Sequence, residues 1–118
     1  METERYAVTF YDLDLKRYTV GMIADLWDVS AGLIYEETNI FVSANIYTSY
    51  TVKHDNNEEA FYSMTFLVVS TRNPTEIESE VDYWNAYRQV IEAIRARLGN
   101  PCMSLTKQDV DFFYFQKL

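Results

Sequence analysis

Between residues 77 and 98 apolar side chains return every three or four positions: Ile77, Val81, Trp84, Tyr87, Ile91, Ile94 and Leu98. That spacing lays one apolar stripe along a helix and predicts a helix over 75–98. Asn73-Pro74 breaks the segment before it, because proline disfavours helical backbone in the residue ahead. Thr75 with Glu78 three residues on reads as a capping box, Thr75 being the N-cap. Glu76, Glu78 and Glu80 near the start and Arg95 and Arg97 near the end suit the macrodipole. Gly99-Asn100-Pro101 is the stop signal.

Over 40–54 the period changes to two. Ile40, Val42, Ala44, Ile46, Tyr50 and Val52 alternate with Ser43, Asn45, Ser49, Thr51 and Lys53, which describes a strand with one buried face. The polar run 55–59 reads as a turn. A second strand follows over 60–71, with Tyr62, Met64, Phe66 and Val68 on one face and a later half that is apolar on both. Tyr6, Val8 and Phe10 mark a strand over 5–11, and 111–116 reads as a strand apolar on both faces.

Residues 16–28 fit two patterns. Tyr18, Met22, Ile23, Leu26 and Trp27 suit a helical stripe, while Tyr18, Val20, Met22, Ala24 and Leu26 suit a strand that Gly21 slightly favours. A helix gives β-α-β-β-α-β, the ferredoxin-like split βαβ order. A strand gives a five-stranded sheet plus one helix. The helix is preferred, because otherwise the region from Asp25 to Glu37 becomes a long loop. The fold class is therefore α+β: an antiparallel sheet with one long amphipathic helix, in one domain over 1–118.

Composition adds two unusual quantities. Aromatic residues make up 16% of the chain, mainly ten Tyr and seven Phe, and the formal net charge is −8. Such a charge repels a nucleic-acid backbone and an anionic membrane, and attracts a basic protein partner. The single cysteine, Cys102, forms no disulfide within the chain and suits a reducing compartment. The N-terminal residues are acidic, and no apolar run approaches the ~18 residues of a membrane span. A cytoplasmic location, in a cell or an infected host, is the expectation.

Catalytic motifs are missing. A nucleophile–base–acid triad has only His54 and Cys102 to draw on, and no G-x-S-x-G elbow occurs. One His and one Cys make no zinc site; Asp12 and Asp14 put two acids on one face of an extended segment and 55–59 lacks calcium-loop spacing, and with 6–8 oxygen ligands normally needed both read as solvated. Neither Gly-rich phosphate cradle is present. The strand order invites comparison with RNA-recognition modules, which stack bases on their third strand. Here Glu59, Ala60 and Ser63 replace the basic residue, the glycine and a stacking aromatic of that pattern. Catalytic residues, metal ligands and a cofactor are expected to be absent, and direct nucleic-acid binding with them.

What remains is surface. The acids form three groups: Asp25, Asp28, Glu36 and Glu37; Asp55, Glu58 and Glu59; and Glu76, Glu80 and Asp82. Acids spaced along one face imitate a phosphate backbone and can fill the cleft of a nucleic-acid enzyme. Tyr47, Phe61, Phe113 and Phe115 offer an aromatic contact surface, and an apolar edge strand at 111–116 invites strand addition or a homodimer. In physical character the chain resembles immunity, anti-restriction and anti-CRISPR proteins, a likeness that carries over no residue. The expected function is a non-enzymatic inhibitor that binds a basic nucleic-acid-acting enzyme. The alternatives are a phage assembly subunit or acidic secretion chaperone acting as a homo-oligomer, and an enzyme using carboxylates or Tyr in a pocket.

Overall fold

A computed structural model describes residues 1–54 and 60–118, without the side chains of 53, 54 and 60–63. The elements run β1 (Glu2–Phe10), α1 (Val20–Thr38), β2 (Asn45–His54), β3 (Ala60–Thr71), α2 (Glu80–Arg97) and β4 (Met103–Asp111). The strands form one antiparallel sheet in the order β2-β3-β1-β4. This is the ferredoxin-like β-α-β-β-α-β fold, and the five-stranded alternative is set aside. Residues 16–28 lead into and begin α1, whose N-cap Thr19 accepts a hydrogen bond from the Met22 amide at 3.2 Å.

Both helices lie on one face of the sheet, and the alternation read from the sequence supplies the core. Tyr6, Val8 and Phe10 of β1 and Phe66 and Val68 of β3 are buried, packed with Ile23, Trp27, Ala31 and Ile34 of α1. From α2 come Tyr83, Ala86, Tyr87, Val90, Ile91 and Ile94. The register sets Met103, Leu105 and Lys107 of β4 opposite Phe10, Val8 and Tyr6, so all three share the helix-covered face.

The long helix begins later than its pattern suggests. Asn73 takes both the amide and the hydroxyl of Thr75 on its side-chain oxygen, at 3.0 and 2.6 Å, and so closes a local turn. Ser79 is the N-cap, accepting from the Asp82 amide at 3.1 Å. The stop falls as expected, with Gly99 in the left-handed region at φ 81°.

Two strand expectations need correction. The last strand is Met103–Asp111 rather than 111–116: its pairing with β1 runs to Asp111 opposite Glu2, and Phe112 exchanges backbone hydrogen bonds with Met1 just beyond. Residues 112–118 have no regular structure, and Phe113 and Phe115 are 73% and 87% exposed. Tyr50 and Val52, read as buried, are exposed. β1 ends at Phe10, opposite Phe66, so the β2–β3 hairpin runs on past its last β1 partner.

Candidate active site

One cleft opens between β1, the edge strand β4 and the first turns of α2. It has a volume of about 440 Å³ and is lined by Tyr6, Glu80, Val81, Trp84, Leu105 and Lys107. Tyr6 forms the floor from the middle of β1. Its ring stacks on Trp84, with centroids 5.6 Å apart and planes at 22°, and on Tyr87 at 4.6 Å. Tyr83 joins the stack at 5.8 Å from Tyr6. Burial raises the pKa of the Tyr6 phenol, so it stays protonated across the physiological range.

Charge enters at the rim. Lys107 on β4 donates to the Glu80 carboxylate on α2 at 2.9 Å, with both side chains about half exposed (46% and 50%). That hydrogen bond raises the pKa of Lys107 above the usual lysine value. The cleft therefore joins an aromatic floor, an aliphatic wall from Val81 and Leu105, and one half-exposed ion pair. Such a lining can receive a planar heteroaromatic ring by stacking and a cation by its attraction to ring faces and a carboxylate.

A buried pair behind the cleft places Glu80. Arg72 donates from Nε and Nη2 to both oxygens of Glu4, at 2.7 and 3.0 Å. Its Nη1 donates to the carbonyls of Ile77 and Glu78, at 2.9 and 3.1 Å, just ahead of the Ser79 cap. The fork thus ties the approach to α2 onto β1. The hydrogen bonds from Arg72 outweigh burial and hold the Glu4 carboxyl below the usual carboxylate range.

The acidic groups read from the sequence scatter. Asp25, Asp28, Glu36 and Glu37 are exposed along α1, and Glu76 and Asp82 lie about the start of α2. Asp55, Glu58, Glu59 and the Phe61 side chain fall outside the described residues. Of the aromatic candidates, Tyr47 is 51% exposed on the sheet face away from the helices. Among the described candidates only Glu80 lines the cleft. Tyr6 and Trp84 are absent from the sequence-based candidates because their periodicity places them in the core, and Lys107 because a lone base in a polar strand reads as surface. The signal that locates it is alternation, since Met103, Leu105 and Lys107 occupy one face. Among the described residues no group of three His, Cys, Asp or Glu side chains is placed to hold a metal ion. Among them, too, no helix is long and apolar enough to cross a membrane.

Comparison with known proteins decides the class. The family described as SAM lyase matches residues 1–116. This chain belongs to the SAM lyase family. Membership overturns the expectation of a non-enzymatic inhibitor of the anti-CRISPR, anti-restriction or immunity type: SAM lyases are enzymes, and enzyme is the class that stands. Solved structures agree on the fold. A phage SAM lyase in complex with S-methyl-5′-thioadenosine superposes with a TM-score of 0.59 at 12% identity, over 90% of this chain and 80% of that one. A phage SAM lyase in the apo state gives 0.56 at 12% identity, over 97% and 94%. A comparison with curated protein sequences gives no match.

Proposed function

We propose that this SAM lyase family member cleaves S-adenosylmethionine to S-methyl-5′-thioadenosine in the cleft above Tyr6. The observation that carries the reading is the family match over 1–116. The thioadenosine held by a phage SAM lyase of like fold supports the choice of product.

The chemistry follows from which groups the product keeps. A thioadenosine that retains the methyl and adenosyl groups has lost the bond from sulfur to the side-chain carbon of the amino-acid portion. The electron pair of that bond returns to sulfur, and a sulfonium cation becomes a neutral thioether. A lyase completes the remaining fragment without water. Either the fragment's own carboxylate oxygen bonds to that carbon, or a proton leaves the neighbouring carbon. In both cases the leaving group arrives already activated, and the enzyme supplies binding, orientation and exclusion of water.

The cleft residues fit that division of labour. Half-buried Trp84, backed by the buried Tyr6 ring, offers the aromatic surface for the adenine or the sulfonium. Glu80 attracts the cation, and Lys107 can turn from Glu80 to a substrate carboxylate. The positive charge fades as the bond breaks, so Glu80 holds the ground state at least as well as the transition state. Its loss belongs in KM rather than kcat. We place the reaction in the cytoplasm, of a cell or an infected host, where the exposed thiol of Cys102 suits a reducing environment.

The test is chromatographic release of S-methyl-5′-thioadenosine from S-adenosylmethionine by the purified chain. The wild type should form one thioadenosine for each substrate lost. Glu80→Gln and Trp84→Ala should each raise KM by about 10-fold, as losing one charge-assisted or stacking contact implies. No thioadenosine from the wild type would overturn the reaction. Full activity with unchanged KM in both variants would move the site elsewhere.

A further inference from the structure

Among the described residues that line the cleft above Tyr6, one is a cation and one an anion, and they hold each other. Lys107 donates to Glu80, so neither charge is free while the pair is closed. Both side chains are half exposed to water, and an ion pair so placed opens at little cost.

The two partners are anchored unequally. Glu80 opens α2, next to the Ser79 cap and just past the two carbonyls that Arg72 holds. Lys107 stands on β4, which pairs with β1 alone and forms the edge of the sheet. Its charge ends a flexible four-carbon stem, whereas a glutamate stem is shorter by two carbons. Opening the pair therefore falls to the lysine.

Resting on the lyase reading above, we propose that Lys107 determines specificity by closing Glu80 to sulfonium compounds that bring no carboxylate. S-adenosylmethionine carries both signs of charge: a carboxylate for Lys107, and a sulfonium and an ammonium for Glu80. It exchanges one ion pair for two and strands neither protein charge. The same sulfonium without its carboxylate can take Glu80 only by leaving Lys107 unpaired. The displaced ammonium then lies beside a second positive charge, so repulsion adds to the lost hydrogen bond. A pair that merely pinned β4 to α2 would behave differently, since its loss would weaken every ligand alike.

Initial rates of thioadenosine release by the full chain give the test. S-adenosylmethionine is the substrate and its decarboxylated form the competing ligand. In the wild type the inhibition constant of the decarboxylated compound should exceed the KM of the substrate at least ~10-fold, as one stranded charge implies. Lys107→Met should raise KM about 10-fold and lower that inhibition constant, so that the preference disappears. Lys107→Arg should keep the preference, because it keeps the charge. Circular dichroism should be unchanged in both variants, since the position is exposed. Equal affinity of the wild type for the two compounds overturns the proposal. So does a Lys107→Met variant that weakens both alike. If the wild type releases no thioadenosine, the reaction assigned above is wrong. Equilibrium dialysis of the two compounds, then undisturbed by turnover, still decides the selectivity.

Discussion

Arg72 shapes the cleft without lining it, because one guanidinium fork joins β1 to the approach of α2. Arg72→Met would leave the Glu4 carboxylate buried and unpaired, which costs about 3–5 kcal/mol in urea unfolding. Adding Glu4→Gln should recover part of that loss, since an uncharged amide is easier to bury. The pair also gives stability a pH dependence of known sign. Arg72 lowers the pKa of Glu4 in the folded state, so the fold binds fewer protons there than the unfolded chain does. Its contribution is complete above the unfolded value of about 4.3 and fades as pH falls through the lower folded value. The urea midpoint of the wild type should therefore drop more steeply in acid than that of Glu4→Gln. Little of this is legible in a linear chain. Glu4 and Arg72 are 68 residues apart, and each alone reads as an ordinary surface charge.

At the scale of elements, the question at α2 is which hydroxyl caps it. Ser79→Ala should cost about 1 kcal/mol in thermal or urea unfolding, as a lost N-cap does. Thr75→Ala should cost only a few tenths, because Thr75 belongs to an exposed turn closed by Asn73. The capping-box pattern points to the wrong residue because Asn73 competes for the same amide, a local contest that spacing does not show. Where a strand is half-buried between neighbours, as around Phe66 and Val68, alternation finds it. The edge strand β4 escapes the same reading, since only Met103 and Leu105 pack against the core and the next residue on their face, Lys107, is charged. The aromatic run at 112–115 misleads in the opposite sense: β propensity is strong there, but Phe113, Tyr114 and Phe115 are exposed and lie outside the sheet.

For the whole molecule, net charge and missing motifs steer the reading away from catalysis, and the chemistry explains why. Triads, metals and phosphate cradles serve substrates whose bonds must be activated by the protein. A sulfonium needs no such activation, so the proposed site asks only for aromatic rings and one carboxylate, and neither stands out in a chain so rich in both. That same aromatic floor ties the fold to alkaline pH. Burial raises the phenol pKa values of Tyr6, Tyr83 and Tyr87. Their neutral forms contribute stability that is complete below the unfolded value of about 10 and is lost as pH rises through the folded values. An ultraviolet titration followed alongside circular dichroism checks this. These three should ionise together with the loss of circular dichroism. The two tryptophans divide the molecule in another way. Trp27 is sealed in the core, its indole N–H held 2.9 Å from the Val42 carbonyl, while Trp84 stands against Tyr6 at the cleft. With the substrate placed as proposed, emission from Trp84 should change on binding while that from Trp27 should not. The proposed site would then carry its own gauge of occupancy, with Trp27 as the reference against which to read it.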